Sequence, residues 1–307
     1  MQKNCWGKIL FILMLSAFTV LNNACTRDKG PIGSEKNPIK MFFVPSVEVK
    51  VIEDNSKSIK DYLEAHTPYK YKVSIPASFI AVVEAFGTNR ADVAALNTFG
   101  YILANEKYGV QAKLIVIRFG ESTYRSQFIA KTKSAINSIN DLSGKKVAFV
   151  DPASTSGYLL PLKLLKDKNI KPKETVFAMR HDSVVSMIYQ GQVDAGATFY
   201  VAPANEEIQD ARRLVKTQYP DVEEKIKIVE LTEAIPNDPI VFRKDLPEKV
   251  KKTITDTLIA YVKTPEGRDA FEKLYGVTDL KPASDADFDG VRELLKSLGK
   301  SATELMK

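Results

Sequence analysis

The sequence predicts an α/β protein built as two lobes. Three observations carry this. Apolar strand-like runs end at proline or glycine. Runs of helical spacing separate them. A strand–helix–strand unit near the start also recurs 102 residues later, pairing Val83 with Val185 and Asp92 with Asp194. Strand–helix–strand units with apolar strands make parallel sheets covered by helices, and two of them imply two such lobes. The 307 residues are ample for that, and 44% hydrophobic with 27% charged residues is the composition of an ordinary globular chain.

The elements follow in order. Lys3 and Lys8 precede Ile9 to Leu21, a 13-residue run without charge. That is short for a membrane span and predicts a secretory signal over residues 1–24. Asn22-Asn23-Ala24-Cys25 resembles the bacterial lipobox, although the usual leucine three places before the cysteine is here Asn22. Cys25 is therefore the expected lipidation site. Cys5 lies within the signal, so the mature chain would hold no disulfide and no thiol metal site. Residues 25–38 are expected to form a polar tether. A multiply acylated Cys25 would anchor stably, since two chains hold where one holds weakly.

The first lobe begins with a strand at Lys40 to Pro45, followed by a helix through Ile59, Tyr62 and Leu63. Val73 to Pro76 is a strand, Phe79 to Phe86 a helix that Gly87 can close, and Ala91 to Leu96 a strand. The second lobe repeats the plan. Lys145 to Pro152 is a strand, with a helix from Leu159 to Leu165. Val176 to Met179 is a strand, Asp182 or Ser183 can cap a helix from Val184 to Tyr189, and Val193 to Thr198 is a strand. Ligands of parallel sheets sit outside the carboxyl ends of strands. Phe79 and His181 take the same place in the repeat, just past a strand, and should both face a cleft.

Asp151-Pro152 ends one strand, and Ser154, Thr155 and Ser156 then precede Gly157 and a helix whose first turns tolerate Pro161. A helix N-terminus offers unpaired N–H groups and partial positive charge, which suits an anion. Three hydroxyls add donors there. Local pattern alone leaves open whether they grip a ligand or one merely caps the helix. The formal charge is +6, and loss of Lys3 and Lys8 leaves +4. No basic block with interleaved aromatics exists, so no nucleic acid partner is expected. Two histidines and no histidine–carboxylate cluster at metal spacing predict no metal, no cofactor and no catalysis. His66 reads as surface, Met187 and Tyr189 as ordinary helix face.

DPASTSGYLLP (151–161), RHD (180–182), QGQVDAGAT (190–198) and IPNDPIVFRKDLP (235–247) together carry a resemblance. Over about Ile39 to Leu280 the chain resembles the substrate-binding proteins of phosphate/phosphite/phosphonate ABC importers. The resemblance implies a bilobal periplasmic-binding-protein fold of type II, with lobe 1 at 39–126 plus 236–307, lobe 2 at 127–235, and a two-crossing hinge. It implies that Ser154, Thr155, Ser156 and His181 hold the phosphonyl oxygens. Asp238 would face the ligand's other end, Phe79 would stand where relatives often have tyrosine, and Tyr124 would match an aromatic beside the hinge. The implied role is a monomer that captures a phosphorus oxyanion for an ABC permease, from the periplasm or cell surface.

Two departures bear on the ligand. The family's Gly-Pro pair ahead of Tyr101 is here Asn97-Thr98. Members that hold an aminoalkyl phosphonate add a second carboxylate after the strand matching 193–198, where this chain reads Phe199-Tyr200-Val201-Ala202. An aminoalkyl phosphonate is therefore disfavoured. A lone Asp238 beside an anion would favour a ligand that carries a proton, because like charges in a dry cleft repel, and would exclude sulfate. The competing functions are a sensing module for a separate membrane protein and, less favoured, a secreted phosphoester-acting enzyme.

Overall fold

The computed structural model describes residues 30–297. The expected signal and Cys25 lie outside the described residues. The strands are β1 (Ile39–Phe43), β2 (Tyr71–Ser74), β3 (Val93–Ala95), β4 (Gln111–Ile117), β5 (Thr123–Lys131), β6 (Lys146–Phe149), β7 (Glu174–Phe177), β8 (Ala195–Tyr200), β9 (Ile226–Leu231), β10 (Ile235–Pro236), β11 (Pro239–Phe242) and β12 (Asp279–Pro282). The helices are α1 (Val49–His66), α2 (Phe79–Gly87), α3 (Thr98–Tyr108), α4 (Leu160–Asp167), α5 (His181–Gln190), α6 (Val222–Lys225), α7 (Glu248–Val262), α8 (Pro265–Tyr275) and α9 (Asp289–Ser297).

The strands form two mixed sheets. The first runs β2-β1-β3-β11-β4-β12, the second β7-β6-β8-β5, with β9 and β10 sharing the far edge of β5. Each sheet contains a parallel trio with one strand central to it: β1 between β2 and β3, and β6 between β7 and β8. An antiparallel strand comes next, β11 beside β3 and β5 beside β8.

The repeated aspartates explain part of this likeness. Asp92 accepts from the Lys40 amide at 3.0 Å and donates its own amide to the Lys40 carbonyl at 2.9 Å. Asp194 does the same to Lys146, at 2.8 and 2.9 Å. A carboxylate that accepts a backbone N–H makes a strong, charge-assisted bond, so each aspartate pins its strand to the start of the central one. Asp92 is buried and also meets Lys40 Nζ and Arg243 Nε; Asp194 is exposed.

Local expectations shift in three places. Gly87 is the last residue of α2 and not its stop. The cap is Thr88, and Asn89 takes the left-handed turn with φ 53°. Gly87 is needed because a Cβ there would lie 2.4 Å from the Tyr108 ring. Neither Asp182 nor Ser183 caps α5. Met179, with φ 67°, turns the chain early, so the helix opens at His181 with Arg180 at its cap position. The part of the expected tether that is described, 30–38, is a packed turn: Gly33 accepts from the Lys70 amide at 2.7 Å and Ile32 joins the first core.

One core lies between the first sheet and α1, α7 and α8, with Ile52, Ile59, Leu258 and Phe271 in it. A second sits beneath the second sheet, around Phe128, Leu142 and Phe149. The third is continuous from α2 and α3 of the first sheet to α5 of the second, with Val82, Ile102, Val184 and Ile188. Each such side chain, fully buried, contributes roughly 1.5–3 kcal/mol. The continuous core holds the two sheet units together around the cavity described next.

Candidate functional site

The cavity lies between the sheets, at the carboxyl ends of their parallel strands. Counted as space open to the centre of a water molecule, it measures about 60 Å³. One water needs about 10–15 Å³ on that measure, so the cavity suits a ligand of a few heavy atoms. All seven residues expected from sequence line it: Phe79, Tyr124, Ser154, Thr155, Ser156, His181 and Asp238.

The hydroxyl loop owes its shape to its neighbours. Asp151, buried after β6, accepts from the Ala153 amide at 2.8 Å and starts the turn. A single π-helical turn, Thr155–Leu159, leads into α4, and Pro161 falls in its first turn, where no N–H partner is lost. A Cβ at Gly157 would lie 2.4 Å from Val150, so only glycine lets the turn sit this close to the strand. The three hydroxyls do different things. Ser154 Oγ caps the turn by accepting from the Gly157 amide at 3.1 Å. Thr155 Oγ1 accepts from Asn97 Nδ2 and from the Phe99 amide, both at 2.9 Å. The Ser156 carbonyl accepts from Ser126 Oγ, which fixes its backbone while the residue lines the cavity.

Phe79 and His181 open α2 and α5, the equivalence that the repeat predicts. The His181 amide donates to the Ser46 carbonyl of the first sheet unit at 3.1 Å, and its ring meets Phe199 edge-on at 4.9 Å. Burial and the Arg118 charge push its pKa down to about 3, so the ring is neutral near pH 7. Its Nδ1 is buried without a partner among the described residues.

The other end of the cavity holds Asp238, expected from the sequence to be a lone carboxylate. Asp238 is not alone: Arg118 Nη2 donates to its Oδ2 at 2.8 Å, and Tyr124 OH donates to Oδ1 at 3.4 Å. Arg118 also donates to Asn237 Oδ1 and to the Tyr275 carbonyl, and its guanidinium lies 5.3 Å over the Tyr124 ring. A paired aspartate repels an anion far less than a lone one, so the site does not by itself demand a protonated ligand or exclude sulfate. Burial and Asp238 push the Tyr124 and Tyr275 hydroxyls well above the usual tyrosine range, keeping both as donors.

Sequence reasoning missed Arg118 and Arg213. Arg118 directly follows β4, so a lone cation at the carboxyl end of an apolar strand was the available signal. Arg213, in the short 3-10 turn Ala211–Val215, offered none. It lines the cavity, donates to the Glu272 carbonyl at 3.4 Å, and keeps Nε buried without a partner among the described residues. Burial and the Arg118 charge lower its pKa, while Glu272 and Asp210 act the other way. Two arginines against one aspartate leave the cavity favourable to an anion.

Comparisons with known proteins identify the family and the fold. A family model described as "ABC transporter, phosphonate, periplasmic substrate-binding protein" matches residues 41–288. The phosphonates-binding periplasmic protein of Escherichia coli strain K12 is 30% identical over 241 residues, 76% of this chain and 68% of that one. The phosphate-import protein PhnD of Mycolicibacterium smegmatis is 28% identical over 175 residues, 52% of this chain and 54% of that one. Among solved structures, PhnD1 of Prochlorococcus marinus in complex with methylphosphonate superposes with a TM-score of 0.74 at 18% identity, covering 85% of this chain and 98% of that one. A phosphonate-transporter binding protein of Pseudomonas aeruginosa gives the same TM-score at 19% identity, covering 87% of each chain.

Proposed function

The chain belongs to the phosphonate family of periplasmic substrate-binding proteins of ABC transporters, and on that premise we propose that its cavity captures one small phosphorus oxyanion, namely a short phosphonate, phosphite or phosphate. The family is a transport component and not an enzyme. In this reading Ser154, Thr155, Ser156 and neutral His181 donate to the oxyanion, aided by the helix N-terminus. The Arg118–Asp238 pair, Tyr124 and Phe79 bound its other end. Arg213 supplies further positive charge, offset in part by Glu272 and Asp210. The observation that carries the reading is three adjacent hydroxyls at a strand's carboxyl end, inside a cavity of about 60 Å³. The expected boundaries at 126/127 and 235/236 fall inside β5 and β10, strands of the second sheet, so the two lobes are read as dividing, and moving, at the crossings near residues 118–122 and 237–238. An amine is disfavoured, because the carboxylate in the cavity is already paired and Phe199 to Ala202 offers no acid.

Calorimetry on protein starting after Cys25 tests this against phosphite, phosphate, methylphosphonate, an aminoalkyl phosphonate and sulfate. One or more of the first three should bind at least about tenfold tighter than the aminoalkyl phosphonate. Sulfate bound as tightly as the phosphorus oxyanions would reveal a generic tetrahedral-anion site and overturn the reading. The reading also takes Cys25 as a lipidated first residue that holds a monomer at the membrane. The Cys25→Ala chain should then leave the membrane fraction; if it stays there, the anchor is elsewhere.

A further inference from the structure

Asn97 stands where the family resemblance leads one to expect glycine, and its side chain reaches from the first sheet unit to the second. Nδ2 donates to the Ala153 carbonyl at 2.8 Å and to Thr155 Oγ1 at 2.9 Å. The Ala153 carbonyl can only accept, so the amide nitrogen and not its oxygen must face it. The side chain is buried, at 7% exposure, and Gly100 leaves it room: a Cβ there would lie 2.6 Å from Asn97 Oδ1. The second departure acts in the same direction. Thr98, where proline is common, donates its hydroxyl to the Pro236 carbonyl of β10 at 3.0 Å.

A threonine hydroxyl has two lone pairs and one proton. Here Asn97 Nδ2 and the Phe99 amide occupy both lone pairs of Thr155. The proton is all that remains, and Thr155 lines the cavity. We propose that Asn97 is a positioning residue with two linked effects: it commits the Thr155 hydroxyl to donating into the cavity, and it latches the two sheet units in the closed arrangement. The first effect rests on the reading of the cavity as an oxyanion site; the second does not. Glycine at 97 could make neither side-chain bond. Because the latch bonds need no ligand, closure costs less, and the apparent affinity rises with the closed fraction. Ligand leaves only when these bonds open, so the gain belongs to slow release.

The test is a cycle of Asn97→Ala, Thr155→Ala and the double variant, with Asn97→Gly as a second replacement should alanine fold poorly. Methylphosphonate and phosphite serve as probes for calorimetry and stopped-flow kinetics, and small-angle scattering reports the ligand-free shape. Asn97→Ala should weaken binding about tenfold, mostly through faster release, and adding it to Thr155→Ala should cost clearly less than that, because only the bond to the Ala153 carbonyl is then left to lose. The ligand-free variant should also scatter as a more extended particle than the parent. Losses that simply add, with unchanged scattering, would overturn the proposal. If the parent binds neither probe, the oxyanion reading fails on its own, and the scattering comparison still decides the latch.

Discussion

His181 is the residue on which pH acts most plainly. Its ordinary pKa is 6.5, and in the folded protein burial and Arg118 lower it to about 3. The unfolded chain therefore takes up a proton below pH 6.5 that the folded chain refuses. The sign follows: stability is complete above pH 6.5 and falls as pH drops toward about 3. Between pH 7.5 and pH 5 the loss from this one group is about 2 kcal/mol, and urea titrations at the two pH values should lose that difference in His181→Phe. A bound oxyanion favours the protonated ring, so saturating ligand should shrink the loss further. A parent and variant with the same pH dependence would sink this assignment. Residues at strand ends were legible in the sequence for a reason: Phe79, His181 and Ser154 to Ser156 occupy positions that strand–helix grammar sends toward a cleft. Arg118 was not legible as part of the site, because its partners Asn237, Asp238 and Tyr275 lie more than a hundred residues away along the chain.

At the scale of elements, the turn Thr155–Leu159 depends on one glycine. Gly157→Ala would drive a Cβ to 2.4 Å from Val150, and the loop must then lift off β6. Overpacking of this kind costs typically 1–3 kcal/mol, and it should weaken ligand binding as well. Val150→Gly in the same chain, which removes both the Cγ2 and the Cβ that would lie at 2.4 and 2.5 Å from the new atom, should recover part of both, as thermal melts and calorimetry would show; no recovery would mean that the glycine serves another purpose. The parallel strand–helix–strand units were readable from the repeat, because each apolar run had one helix to cross over; the order of the strands within each sheet was not. Helix boundaries were less so. The end of the helix after Gly87 and the start at His181 follow the left-handed Asn89 and Met179, backbone choices that the hydrophobic pattern did not announce. The described end of the presumed tether is tied down by Lys70 and Ile32, contacts that its polar composition could not announce.

For the whole molecule, the repeat and the strand-end sites were legible, while the antiparallel strands that complete each sheet were not. These strands come from outside the repeated units, and only the folded register joins them. That register has a kinetic meaning. The second sheet draws on residues 123–236 alone, one unbroken length of chain. The first sheet pairs Ala95 with Ile240 and Ile117 with Asp279, so it must close loops of well over a hundred residues. Long loops cost entropy before their contacts form, and such pairings are slow. We therefore expect an order of assembly, which pulse-labelled hydrogen exchange can read: amides of β6 and β8 should gain protection before those of β3 and β11. The reverse order, or simultaneous protection, would refute it. On this schedule the hydroxyl loop is built early, on a finished sheet, and the chain's last quarter then brings Asp238 to meet it.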